Sequence, residues 1–280
     1  VSTQPMPPQK KSSPIGIIVS ILVVLAVLLA LLEFGSRWYI GKELKEQYRQ
    51  QASEQGISLT QDPEVSFGST PLLATLITKK VGEVNLSLPD TVRIKQGHEP
   101  EILGQPATNI KIHNLDVHDR ANPVAETLDL HTELTDPFLL AVMQKNMAEK
   151  KDEIHVDGIA ELLVDQIANI NDLKSDGSTG VVTVSFSNGA ATLGLKPQTI
   201  DGNLMFDATD ASLFGFELPA AVTEKLSEAL KSSMDQVTGA EQGDSGQIQI
   251  NKVTVVDGAV QVDMSGHNVP VTKVGTELPS

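Results

Sequence analysis

The chain has 280 residues and no cysteine. Disulfides, thiolate metal sites and a Cys nucleophile are excluded at once; the compartment stays open. Aromatic residues make up 4% of the chain, with one Trp and two Tyr. That is too few for stacking platforms that hold bases or sugars. Positive charge is also scarce: 21 Lys and Arg stand against 36 Asp and Glu, a formal net charge of −15. Nucleic acid is a poor partner for such a surface, because binding it needs clustered cations that release counterions. Long-range capture by an anionic membrane is disfavoured on the same ground. There is no P-loop, no dinucleotide fingerprint and no HExxH pair.

What is present is an apolar run. Ile15 to Leu32 reads IGIIVSILVVLAVLLALL without a charge, and every acid in the chain follows it. As a helix at 1.5 Å per residue it covers most of a hydrocarbon core of about 30 Å. A cleaved signal peptide is the rival reading, but such segments have shorter apolar regions and a small-x-small cleavage site. Leu31-Leu32-Glu33-Phe34-Gly35-Ser36 offers none. The expectation is an uncleaved anchor in the cytoplasmic membrane. Lys10 and Lys11 lie in the cytoplasmic tail, Trp38 and Tyr39 at the outer interface, and the long domain outside.

The organisation expected is a disordered tail over 1–14, the anchor over 15–32 and a helical stalk over 33–56. One α+β domain fills 57–273, and 274–280 is a tail. Within the domain the periodicity alternates between short strands and short helices. Pro63–Gly68 alternates. Pro71 to Ile77 reads as a short apolar helix with Pro in its first turn. Val84, Leu86 and Leu88 mark a half-buried strand, and 97–107 a loop. Ile110, Ile112, Leu115 and Val117 form a strand whose phase slips at Asn114, which suggests a bulge. Leu128 and Leu130 continue the theme. Asp136-Pro137 opens a helix from Phe138 to about Glu149, and a second helix is expected over Ile159 to Ile170. Val182–Phe186 and Ala191–Leu195 flank Asn188-Gly189, a type I′ hairpin signal. A strand follows from Ile200 to Thr209, then a helix from Leu218. Ile248–Val256, Asp257-Gly258 and Val260–Met264 close the chain as a hairpin. Strands outnumber helices and tight turns join them, so the sheet should be mostly antiparallel.

Few side chains suggest chemistry. Gly243-Asp244-Ser245-Gly246 looks like a serine-protease nucleophile segment, but a triad needs a His base and an Asp orienter around the serine. The upstream Ala-Ala-His segment is absent. Asp129, His131 and Glu133 share a strand face and could ligate a metal, though a solvated face opposite Leu128, Leu130 and Leu134 is the favoured reading. His113 and His118, five apart, fall on opposite faces of a regular strand. Lys79-Lys80 follows the apolar turn, either as a headgroup contact or as a solvated helix end.

The order of elements nevertheless forms a pattern. A single apolar span and a helix precede Pro63–Gly68 and Pro71-Leu72-Leu73-Ala74-Thr75-Leu76. A Val-rich strand follows at Val81–Leu88. Near the end stand Phe216-Glu217-Leu218-Pro219-Ala220-Ala221-Val222 and Ile248 to Val262. This layout resembles the LmeA family of actinobacterial envelope proteins, described as phospholipid-binding, and is similar to tubular lipid-binding (TULIP-like) domains. The resemblance implies a curved sheet around helices, with an apolar groove for acyl chains and no catalytic residue, cofactor or metal. Its groove would be lined by Leu72, Leu73, Leu76 and Ile77 at the entrance and by Leu213, Phe214, Phe216, Val222 and Leu226 inside. Lys79 and Lys80 would face a headgroup, anionic or glycosylated. The expected function is a membrane-anchored, extracytoplasmic phospholipid-binding or lipid-transfer protein of the bacterial cell envelope. The alternative is an adaptor with a closed core that recruits envelope-biosynthesis enzymes.

Overall fold

A computed structural model describes residues 14–54, 56–57, 59–97, 100–119, 121–150, 170–200, 202–217 and 248–271, and side chains within the first helix from Ala30 onward. The helix expected over 159–170, apart from Ile170, which is strand, the helix expected from Leu218, Val222 and Leu226 of the expected groove, and the Gly243–Gly246 tetrad lie outside the described residues.

Helix α1 spans Pro14–Glu54, about 60 Å at the usual rise. It is followed by β1 (Glu64–Phe67), a 3₁₀ turn (Leu72–Ala74), α2 (Thr75–Thr78) and β2 (Lys80–Leu88). β3 (Arg93–Lys95) and β4 (Glu101–Leu103) form a small hairpin, so part of the stretch expected as loop is strand. Then come β5 (Thr108–Asp116), β6 (Val124–Thr135), α3 (Asp136–Lys150) and β7 (Ile170–Asp176). β8 (Val181–Phe186), β9 (Ala191–Ile200), β10 (Asn203–Leu213), β11 (Phe216–Glu217), β12 (Ile248–Val256) and β13 (Ala259–Pro270) complete the order.

Two antiparallel sheets carry the fold, an α+β arrangement. One has six strands in the order β1-β2-β5-β6-β13-β12; the other has five, β11-β10-β9-β8-β7. In the first sheet, Val65, Leu86, Ile110, Leu130, Met264 and Ile250 are direct partners across all six strands. The rows on either side are polar: Glu64, Ser87, Asn109, His131 and Asp263 on one, Ser66, Asn85, Lys111, Asp129 and Ser265 on the other. Successive residues of a strand point to opposite faces, so the sheet has one apolar and one polar face.

A crease crosses this sheet near one end. Asn114 and Asn268 both have positive φ, 50° and 53°. In β6, Ala125 and Leu128 are both fully buried although three residues apart, so alternation slips there too. The slip expected at Asn114 is therefore real. It is not a bulge with an extra residue, however: Leu115 and His113 pair in turn with Val81 and Glu83, one for one.

The five-stranded sheet meets the first along β12. Ile250 N–H donates to the Gly202 carbonyl, and Gly177 N–H to Asp257 Oδ1 at 2.8 Å. Between the sheets lies a core of Ile170, Leu173, Val182, Val184, Phe186 and Leu195 against Val255, Val260 and Val262, with Leu139, Leu140 and Met143 of α3 packed on it. Helix α3 begins at the Asp136-Pro137 pair, as expected, but the Asp136 carboxylate bonds a neighbouring strand rather than capping its own helix. Asp136 Oδ2 accepts the Ser175 N–H at 3.0 Å, and Asp136 N–H reaches the Gly258 carbonyl. A second cluster, Ile112, Ala125, Leu128, Leu130 and Val269, occupies the apolar face of the six-stranded sheet alone.

Two turns differ from expectation. Phe186 pairs with Ala191, so four residues link β8 and β9 rather than two. Ser187, Asn188 and Gly189 all have positive φ, which spreads the reversal over a longer loop. The strand expected from Ile200 is two: β9 ends at Ile200, and β10 starts at Asn203. Asp201-Gly202 was the available turn signal.

Candidate functional site

Of the stretch expected as a stalk, 33–56, residues 33–54 are the second half of α1, bound to the domain at both ends. Its inward stripe is Glu33, Ser36, Arg37, Gly41, Lys45, Tyr48 and Ala52, none of them fully exposed, at the three- and four-residue spacing of one helix face. Glu33 accepts the backbone N–H of Leu72 at 2.7 Å and of Leu73 at 2.9 Å, and pairs with Arg37 Nε at 2.6 Å. Arg37 in turn donates to the carbonyls of Phe67, Gly68 and Thr70 at 2.8–3.1 Å. The rigid guanidinium fork suits three carbonyls of one turn, where an ammonium would not. Further along, Tyr48 accepts from Gln105 at 3.2 Å and Arg49 Nε donates to Asp62 at 2.9 Å.

These contacts set the electrostatics. Burial pushes the Glu33 carboxyl up, but the bonds from Arg37, Leu72 and Leu73 outweigh it and hold the group below the ordinary carboxylate range. Burial raises the Tyr48 hydroxyl, opposed by its hydrogen bonds to Thr91 and Gln105. Asp116 is lowered by the His118 backbone N–H and side chain.

The clamps also fix direction. About 18 Å of helix separates Arg37 from Arg49, and about 20 Å of extended chain separates Gly68 from Asp62. The match means that Asp62–Gly68 runs antiparallel along α1, toward its N-terminal half. The turn after it therefore reaches the level of Glu33.

The expected site residues divide into two groups on different sheets. Leu72 is buried at the start of the 3₁₀ turn, and Leu73 is half-buried. Leu76 and Ile77, by contrast, are 68% and 88% exposed. Lys79 caps α2 in the left-handed region, φ 55°. Lys80 opens β2, with Nζ 3.9 Å from Glu126. Leu213, Phe214 and Phe216 form the β10–β11 hairpin, where Leu213 pairs with Phe216. Phe214 and Phe216 are largely exposed, and Phe214 N–H is bound to the Ala190 carbonyl of the neighbouring loop.

Two recesses are lined by described residues. One, of about 710 Å³, lies on the six-stranded sheet between Lys45 of α1 and Asn251 of β12, where Val65, Leu86, Ile110, Leu130 and Met264 line it together with polar residues on either side of that row. The other, about 870 Å³, sits beyond the crease among Lys80, Asp116, His118, Glu126 and His267. Lys80 is the expected site residue that these linings include. Asp129, His131 and Glu133 do share the polar face, but His131 Nδ1 lies 2.7 Å from Asp263 and Glu133 accepts from Gln261. Among the described residues no group of three His, Cys, Asp or Glu is placed to hold a metal, and no helix is long and apolar enough to cross a membrane. The residues that sequence reasoning missed are Glu33 and Arg37. Their i, i+4 spacing was visible; their partners, being backbone groups, were not.

A comparison with curated proteins and one with solved structures found no match. A family model described as LmeA-like phospholipid-binding matches residues 31–265, from the clamp on α1 through most of β13. With its match running from the helix through both sheets, the chain belongs to the LmeA-like phospholipid-binding family.

Proposed function

We propose that this protein holds phospholipid by its acyl chains on the extracytoplasmic side of a bacterial cytoplasmic membrane, anchored there by Ile15–Leu32, and does no catalysis. The observation that carries the reading is the family match over 31–265. Supporting it, Leu76 and Ile77 at one turn and Phe214 and Phe216 at one hairpin are left in solvent, where a closed globular core would have buried them. Each buried CH₂ contributes about 0.8 kcal/mol, so partial cover of an acyl chain suffices for retention. Supporting the anchor, the uncharged run leads without interruption into a helix that is bound to the domain. A tether of this kind raises the effective concentration of lipid at the site. The apolar groove, a sheet curved around helices and a role in transfer belong to this proposal.

Native mass spectrometry of the full chain extracted from membranes tests the reading. Co-purified phospholipid, and uptake of a labelled phospholipid from vesicles, are expected. Neither bound lipid nor uptake would overturn it.

A further inference from the structure

The β1–β2 connection contains the most exposed apolar side chain described, and the fold fixes where it points. Gly68 N–H donates to the Glu83 carbonyl, which puts Glu83 level with the Arg37 clamp. β2 begins three residues earlier, at Lys80. Its start therefore lies about 10 Å nearer the N-terminal end of α1 than Arg37 does. That distance corresponds to about six or seven residues of helix, the level of the last residues of the apolar run. Leu31, Leu32 and Phe34 are themselves 60–73% exposed there. Leu76 and Ile77 thus stand beside the end of the apolar helix, on a turn held in place by Glu33 and Arg37.

We infer that Leu76 and Ile77 form a second membrane contact, inserted in the leaflet from which α1 emerges. The inference rests on the anchored reading proposed above. The occupant is a lipid surface rather than a second protein, because the patch is continuous with a run whose composition matches hydrocarbon. Insertion is apolar in origin. Lys80 is already beside Glu126, and Asp116 and Asp119 lie at the same end of the sheet; the described residues there offer no cationic excess. The depth is shallow. The Val117 N–H is bound to the Lys79 carbonyl, so Asp116, His118, Asp119 and the recess they line follow the tip closely and stay at headgroup level. Fixing the domain by two points, helix and tip, removes its freedom to swing about α1 and sets one orientation toward the bilayer.

The absence of cysteine makes the test direct. Single variants Ile77→Cys, Trp38→Cys, Asn122→Cys and Thr179→Cys of the full chain, labelled with nitrobenzoxadiazole, are reconstituted in phosphatidylcholine liposomes carrying doxyl-labelled lipid. Quenching at Ile77 is expected within about twofold of that at Trp38, an interfacial position. It should exceed that at Thr179, at the far end of the sheets, by at least about fivefold. Asn122 should fall between. Adding phosphatidylglycerol should change none of these. An Ile77 label as water-exposed as Thr179 would overturn the inference. So would a blue-shifted Ile77 label that doxyl lipid does not quench, which means protein covers it, or quenching that appears only with anionic lipid. A Val23→Cys label reports the anchor separately: if it stays outside the bilayer the anchored reading fails, whereas the Ile77 result decides the tip in either case.

Discussion

Leu128 and Phe216 are both large and apolar, and their surroundings differ completely. Leu128 is 0% exposed in the centre of the six-stranded sheet, while Phe216 is 77% exposed on the short edge strand β11. Truncating Leu128 to Ala leaves a cavity and should cost about 2–5 kcal/mol in denaturant unfolding. Phe216→Asp removes no buried contact and should change stability by less than about 0.5 kcal/mol. A folded Phe216→Asp variant with reduced lipid uptake is the outcome expected of a rim residue; an unfolded one would place Phe216 in a closed core. At this scale the sequence reads well where the signal is burial. Leu128, Leu130, Ile112 and Val184 were legible as inward residues, because alternation is a local property of a strand. The exposure of Leu76, Ile77 and Phe216 was not, since a core face and a solvent-facing apolar patch have the same spacing.

At the scale of elements, the informative contact is between α1 and the β1–β2 turn. Glu33 carries it, and its lowered pKa gives a sign. A depressed folded value means that the stabilisation is complete above the ordinary glutamate range and is lost as pH falls through the depressed value. The Leu72 and Leu73 amide proton shifts should therefore titrate with a midpoint below that of an unperturbed glutamate. Glu33→Gln should abolish this titration and loosen the turn by roughly 1 kcal/mol, the scale of a partly exposed charge-assisted cluster. Unchanged amide shifts across the acid range would refute the clamp. The docking of α1 was illegible because its inward stripe is polar and small rather than apolar. Hydrophobic periodicity detects helices that bury a greasy face; it passes over one fixed by hydrogen bonds to carbonyls. The β3–β4 hairpin was missed for a related reason, being three residues per strand and too short for a period to register.

Across the whole molecule, the two sheets share one core. Ile170, Leu173, Val182 and Val184 come from the five-stranded sheet, Val255, Val260 and Val262 from the six-stranded one. Val260→Ala should therefore destabilise both together, by about 1–3 kcal/mol. Hydrogen exchange should show β7–β9 and β12–β13 losing protection in parallel. Loss confined to β12–β13 would mean that the sheets unfold independently.

The sequence by itself determined the apolar run, the antiparallel α+β class, most strands, the opening of α3 and the family resemblance. All of these rest on local spacing or on the order of elements along the chain. Tertiary structure decided the rest: that two sheets meet along β12, that α1 is clamped rather than free-standing, and that Leu76 and Ile77 project beside the end of the apolar run. Each depends on a pairing between residues far apart in sequence, such as Glu33 with Leu72 or Gly202 with Ile250. A backbone amide or carbonyl that receives such a bond is the same group in every residue, so no side-chain pattern announces it.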